Sequence, residues 1–197
     1  MTDPGNHECD QRFAHYTERF RNLPHGLATS FLETVTTDNG QSPNNWFYAV
    51  DVGNVHLLSI STEVYFSNPE LVPLQLAFIE ADLGSVDRSK TPWVIVHGHR
   101  PFYCSTDSDC DGPAMTLKSS LEEVFHSYGV DLYLCGHEHN YERMHAIYKE
   151  VMDSSAGGAN PRATTYIVTG DAGNVSPTPQ PHTTLTPNPK TNANHKL

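Results

Sequence analysis

The sequence predicts a single mixed α/β domain, and three observations predict it. Short runs of β-branched and aromatic residues alternate with stretches whose apolar residues recur at helical spacing, as in strands and helices packed in layers. Two histidine-rich segments follow such apolar runs directly, as site-forming loops do at the carboxyl ends of strands in layered sheets. A chain of 197 residues is also the size of one domain with a proper core.

The elements follow in order. Phe13, Tyr16 and Phe20 stand at helical intervals, which predicts a short amphipathic helix within residues 8–20. Residues 21–45 are polar and irregular. Strands are expected at 46–52 and 55–61, joined by Gly53-Asn54, a two-residue hairpin signal. Leu76, Ile79 and Leu83 mark one helical face, with Gly84 as its stop. A strand at 93–97 comes next. Leu117, Leu121, Val124, Phe125 and Tyr128 form a second helical stripe, closed by Gly129. Strands at about 131–135, 145–152 and 164–169 complete the ordered part. Residues 175–197 are dominated by Pro, Thr and Asn, the composition of a disordered tail. There is no internal repeat.

A formal net charge of −11 argues against nucleic acid or an anionic membrane as a partner. No apolar run approaches the ~20 residues that span a bilayer. Met1-Thr-Asp-Pro-Gly has neither the basic nor the apolar region of a signal peptide. Cys104 and Cys110 share a short polar loop; they are either bridged or two ordinary thiols of a reducing compartment. Cys135 ends an apolar run and reads as a small buried hydrophobe, while Cys9 is left open. No pair has the C-x2-C spacing of a zinc site.

The chemistry concentrates in three Gly/His loops. Residues 136–143 read Gly-His-Glu-His-Asn-Tyr-Glu-Arg. A tight bend at Gly136 lets His137 and His139 turn toward one small space. His97-Gly98-His99-Arg100-Pro101 follows a second strand, and Gly5-Asn6-His7-Glu8 stands near the N-terminus. Neutral imidazole is the commonest protein ligand for transition metals, so a metal site is predicted, with Asn6 adding a neutral oxygen and His7 able to donate a proton. A metal there lowers the pKa of bound water, and clustered metal-bound imidazoles hold an anionic ester.

Other residues have plainer readings. His15, His25, His126, His182 and His195 are expected to be solvated, His56 to be a satisfied sheet histidine, and His97 to support the site at most from behind it. Glu138 and Glu142 are expected to orient the histidine loop or to pair with Arg143. Gly170-Asp171-Ala172-Gly173 reads as a turn rather than a metal motif. Asn174-Val-Ser176 is a glycosylation acceptor only if the protein is secreted.

Taken together, Gly-Asn-His-Glu, Val96-x-x-His99 and Gly136-His-x-His139 resemble the ordered motifs of the metallophosphoesterase superfamily. Residues 47–63, 99–104 and 136–143 resemble the purple acid phosphatases in particular. The likeness runs from about residue 4 to residue 174. It implies a partial double-sheet sandwich with flanking helices, a domain over 1–174 whose N-terminal strands are missing. It also implies that Asn6, His99 and His137 are ligands of a divalent metal, that His139 is a ligand of a ferric ion, and that His7 assists catalysis near the substrate and leaving group. The implied reaction is hydrolysis of a phosphate monoester by a metal-bound hydroxide at a dinuclear centre, iron with zinc, manganese or a second iron, in a secreted or vesicular protein.

The family's upstream Gly-Asp-x-Gly and Gly-Asp-x-x-Tyr motifs, which carry the bridging Asp and the Tyr ligand, have no counterpart before Asn6. The chain alone is therefore expected to bind at most one divalent metal, to be weakly active or inactive, and to self-associate or pair with a missing N-terminal segment. A non-catalytic metal-binding module and a binding protein on the same fold are the alternatives. In the loop after His99, Asp107, Ser108 and Asp109 stand where plant members carry a histidine pair, which leaves His97 or Tyr103 as substitute phosphate-binding groups.

Overall fold

The computed structural model describes residues 2–20, 45–105, 110–154 and 161–172. The expected tail at 175–197, most of the irregular 21–45 segment, His25, His182, His195, Asp107, Ser108, Asp109, Gly173 and Asn174 lie outside the described residues.

Six strands form one mixed sheet: β1 (Tyr48–Val52), β2 (Val55–Ser59), β3 (Trp93–His97), β4 (Leu132–Cys135), β5 (Tyr141–Arg143) and β8 (Thr165–Thr169), in the order β1-β2-β3-β4-β8-β5. The pairs β2/β3, β3/β4 and β4/β8 are parallel, while β1/β2 and β5/β8 are antiparallel. The two remaining strands, β6 (Ile147–Tyr148) and β7 (Val151–Met152), make a separate hairpin. The mixed α/β expectation thus takes the form of one large sheet and, among the described residues, a two-stranded second one.

Helices connect β2 to β3 and β3 to β4, while among the described residues β4 reaches its parallel neighbour β8 through β5 and the β6-β7 hairpin. A 3-10 segment (Asn6–Phe13) and α1 (Ala14–Arg19) precede β1. Between β2 and β3 come α2 (Val64–Ser67), a 3-10 turn (Pro69–Leu71) and α3 (Val72–Ser85). Between β3 and β4 lie α4 (Gly112–Leu117), a π-helical turn (Lys118–Glu122) and α5 (Glu123–Ser127). Alternation in the strands selects the core: Val94 and Val96, Tyr133 and Cys135, Tyr166 and Val168 are buried, with partly buried neighbours between them. The rings of Phe102, Phe125, Tyr133 and Tyr166 lie with centroids 4.6–5.9 Å apart, within the spacing favoured by tilted and offset aromatic pairs.

Several boundaries differ from the sequence reading. The first strand starts at Tyr48 because Trp46 and Phe47 turn inward, Trp46 giving its indole N–H to Thr17 Oγ1 at 3.1 Å. The second ends at Ser59, where Gln75 takes over the backbone bonds of Ser61. The helix expected within 8–20 breaks at Phe13, whose φ of 61° ends the 3-10 segment. In α3 the buried face is Gln75, Phe78, Ile79, Asp82 and Leu83; Leu76 is only half-buried, and the helix runs past Gly84 to Ser85. The strand expected at 145–152 is two short strands, because Lys149 and Glu150 both adopt positive φ and reverse the chain. At Gly53-Asn54 the hairpin is as read, with φ of 61° at Gly53.

Candidate metal centre

The parallel strands β3 and β4 deliver His97-Gly98-His99 and Gly136-His137 to the same sheet edge, and the N-terminal loop brings Asn6 over it. His99 Nε2 lies 2.8 Å from Asn6 Oδ1 and 2.9 Å from His137 Nδ1. The two imidazoles meet edge to face, at 76°. Burial, followed by the neighbouring charges of His137, Arg100, His7 and His139, holds the His99 pKa down to about 3. His99 therefore remains neutral, with a lone pair available, even in acid.

These contacts cannot all be hydrogen bonds. A neutral His99 Nε2 either carries a proton, which serves Asn6 Oδ1, or offers a lone pair, which serves a proton on His137 Nδ1. One of the two contacts is always unserved. Two further donor atoms held 2.8 and 2.9 Å from His99 Nε2 form with it a set that a transition-metal cation would take. Ligand bonds of about 2.0–2.2 Å to one cation would put neighbouring donor atoms roughly 3 Å apart, close to the two separations found here. The donor set of two imidazoles and an amide oxygen suits zinc, iron or manganese.

The scaffold around these atoms is close-packed. A Cβ on Gly5 would lie 2.9 Å from the His99 ring. Glu8 Oε2 accepts the Gly5 N–H at 2.9 Å and fixes the loop that carries Asn6. The bend expected at Gly136 falls instead on His137, with φ of 68°. Such a left-handed conformation costs a non-glycine residue of order 1–3 kcal/mol and persists only where surrounding structure enforces it. The enforcement comes from the loop's far side. Glu142 Oε1 accepts from Asn140 Nδ2 at 2.9 Å, and a Cβ on Gly170 would lie 2.1 Å from the Glu138 carbonyl oxygen. Glu142 thus orients the histidine loop, and Gly170 acts as a backbone platform beneath it. Asp171 is exposed beside that turn.

The other predicted residues divide. His7 and His139 are exposed at the same edge, close enough for their charges to bear on His99. Among the described residues no histidine, cysteine or carboxylate joins His99 and His137 as a third ligand within 4.8 Å. Tyr103 is buried with its hydroxyl on Glu122, so it does not stand free to bind phosphate; His97 Nδ1 lies 2.8 Å from Asp3 Oδ1, and its Nε2 is buried without a hydrogen-bond partner among the described residues. His56 is satisfied on both nitrogens, 2.8 Å from Asp51 and 2.8 Å from Asp82. His126 is not solvated: its ring stacks on Tyr148 with centroids 3.8 Å apart, because the β6-β7 hairpin folds onto α5. Cys104 and Cys110 form a disulfide, and Cys9 and Cys135 are free, exposed and buried respectively. The sulfurs of Cys104 and Cys110 also cluster with the Glu138 carboxylate, but being bonded to each other they are not available as thiolates.

Sequence reasoning missed Arg100 and Glu63. Arg100 gives Nε–H to Glu63 Oε1 at 2.8 Å and Nη2–H to Glu63 Oε2 at 3.2 Å, and its Nη1 lies 3.3 Å from His137 Nε2. Its guanidinium carbon stands 4.6 Å from the Phe66 ring centroid. The signal was present: an arginine directly after a candidate ligand histidine, and a lone acid four residues beyond the end of β2.

The family model for calcineurin-like phosphoesterases matches residues 4–141. Acid phosphatase type 7 of Homo sapiens is 37% identical over 190 residues, covering 88% of this chain and 40% of that protein. Purple acid phosphatase 23 of Arabidopsis thaliana is 32% identical over 180 residues, covering 89% of this chain and 34% of that protein. The chain thus spans about 40% or less of the length of these relatives. The solved structure of a purple acid phosphatase from yellow lupin (Lupinus luteus) seeds matches 65% of this chain and 23% of its own, with 29% identity and a TM-score of 0.54. The match over residues 4–141 and the fold it shares with the lupin enzyme show that this chain belongs to the calcineurin-like phosphoesterase family.

Proposed function

We propose that the chain holds a divalent metal through Asn6 Oδ1, His99 Nε2 and His137 Nδ1, and that this site serves hydrolysis of phosphate monoesters. The observation that carries this reading is the convergence of those three atoms, with separations of 2.8 and 2.9 Å and no consistent arrangement of protons. The family works with a dinuclear centre, and His139 is the residue proposed to reach the second, ferric ion. A bound divalent ion supplies Lewis-acid stabilisation of the phosphoryl oxygens and lowers the pKa of coordinated water. The chain's own groups do the rest. His99 stays neutral in acid, and His7 stands exposed at the edge to give a proton to a leaving oxygen.

For the chain alone we propose at most one divalent ion and little or no phosphatase activity, since two-metal chemistry needs a ligand that holds both ions ~3.5–4 Å apart. The Cys104–Cys110 disulfide supports a secreted or vesicular location, where such bonds persist.

Zinc titration by calorimetry, with a chromogenic phosphate ester assayed in parallel, tests the proposal. One ion bound by the unaltered chain, lost on His137→Ala and on His99→Ala, is expected. Two ions with turnover abolished by His137→Ala would overturn the single-ion reading. Binding indifferent to both substitutions would overturn the site.

A further inference from the structure

We propose that Arg100 is a positioning residue that holds His137 in the tautomer opposed to metal ligation, so that the divalent site is loaded against a latch built into the chain. The inference rests on the metal-site reading above, but its test does not depend on catalysis.

A guanidinium has donors only. With Arg100 Nη1 3.3 Å from His137 Nε2, the imidazole nitrogen must accept, and the proton of the neutral ring then sits on Nδ1. That is the atom turned toward His99 Nε2, 2.9 Å away, and the one a cation would need bare. For a metal to take Nδ1, the proton must cross to Nε2, where it meets an Arg100 N–H head on. Histidine ligands ordinarily give their second N–H to a carboxylate, a carbonyl or water, which fixes the ligating tautomer. Here a donor occupies the acceptor's place.

The arginine is not there by accident of a mobile surface chain. Glu63, 1% exposed, grips it through both oxygens. Phe66 lies against its flat face, and its backbone N–H goes to Thr62 Oγ1 at 3.1 Å. The segment from Thr62 to Phe66 therefore fixes the position of the guanidinium, and the guanidinium fixes the ring. The consequence is a weaker, more readily exchanged divalent ion than the donor set alone would give.

Removing Arg100 alone would strand the buried Glu63 carboxylate, which is strongly destabilising. The variant to make is therefore Glu63→Gln with Arg100→Met, which removes one charge of each sign and leaves the local net charge unchanged. Zinc affinity, measured by competition with a chromophoric chelator, is expected to rise at least about tenfold, within the ~10–100-fold range that outer partners of ligand histidines exert. Unchanged or weaker binding would overturn the proposal. The second measurement needs no substitution. Nitrogen-15 chemical shifts of metal-free wild-type chain, taken well above the ordinary histidine pKa of about 6.5, should show His137 protonated on Nδ1; protonation on Nε2 would overturn the proposal. Zinc binding that survives His137→Ala would instead count against the metal site itself, and the shifts would still decide the role of Arg100.

Discussion

His56 shows how one side chain ties stability to pH. Burial, the largest single influence, pushes its imidazole pKa down, but bonds to Asp82 and Asp51 outweigh it and leave the value raised. A raised folded value means that the native state holds this proton more tightly than the unfolded chain. The contribution is fully present below the unfolded value of about 6.5 and is lost as pH rises through the folded value. Urea unfolding of wild type and His56→Gln, followed from pH 6 to pH 9, should show the wild-type advantage shrinking with pH; a constant or growing advantage would contradict this. Gly170 is a sterically simpler case. Gly170→Ala would drive a methyl group to 2.1 Å from the Glu138 carbonyl oxygen, backbone against backbone, with nothing flexible to yield. Destabilisation of about 1–3 kcal/mol is expected, together with weakened zinc binding, because the displaced loop carries His137. Gly112→Ala, which meets nothing within 4 Å in the first turn of α4, serves as the control and should be neutral or slightly stabilising.

At the scale of elements, legibility followed burial symmetry and distance along the chain. The strand at 93–97 was readable to the residue because Val94, Ile95 and Val96 sit between parallel neighbours, where a short β-branched run has no competing period. The stripe from Leu117 to Tyr128 was readable as helix but not in detail. The π turn at Lys118–Glu122 shifts the register, so Leu117, Leu121 and Phe125 are buried while Tyr128 is 38% exposed. β5 was hidden inside the histidine motif, since three residues carry no periodicity. In the site, Asn6, His99 and His137 stand in Gly-bounded loops that announce themselves locally. The Arg100–Glu63 pair spans 37 residues, and no local pattern links them. The Cys104–Cys110 bridge closes a loop with a sequence separation of 6, beside the Glu138 of the histidine loop. In the chain-entropy account a loop this short stabilises by about 2 kcal/mol. Replacing both cysteines with serine should lower stability by that order while leaving β3 and β4, and hence the Asn6–His99–His137 contacts, in place. Calorimetric unfolding and zinc affinity read the two effects separately; loss of zinc binding without loss of stability would assign the bridge to the site instead.

At the scale of the whole molecule, two opposed features set solution behaviour. The outer edges of β1 and β5 carry no further strand among the described residues, and unpaired edges are templates for association. Near β1 the edge is also apolar. Val52 pairs with Val55, which pairs with Trp93, so the three share one row of a face, and Val52 and Trp93 are 57% and 53% exposed. Tyr141, on the other edge strand, is 66% exposed. Against this stands a formal net charge of −11, whose self-repulsion keeps copies apart at low salt. Screening acts on the charge and not on the apolar row, since the Debye length falls from about 30 Å at 0.01 M salt to about 8 Å at 0.15 M. The chain should therefore self-associate in a concentration-dependent manner, more strongly as salt is raised, and Val52→Lys should weaken that association by placing a cation on the row. Sedimentation velocity across a range of concentrations at both salt levels reads this directly. A monomer throughout would show that the edge is covered or too strongly charged to pair. Association that weakens with salt would point to contacts between unlike charges rather than to the sheet edge.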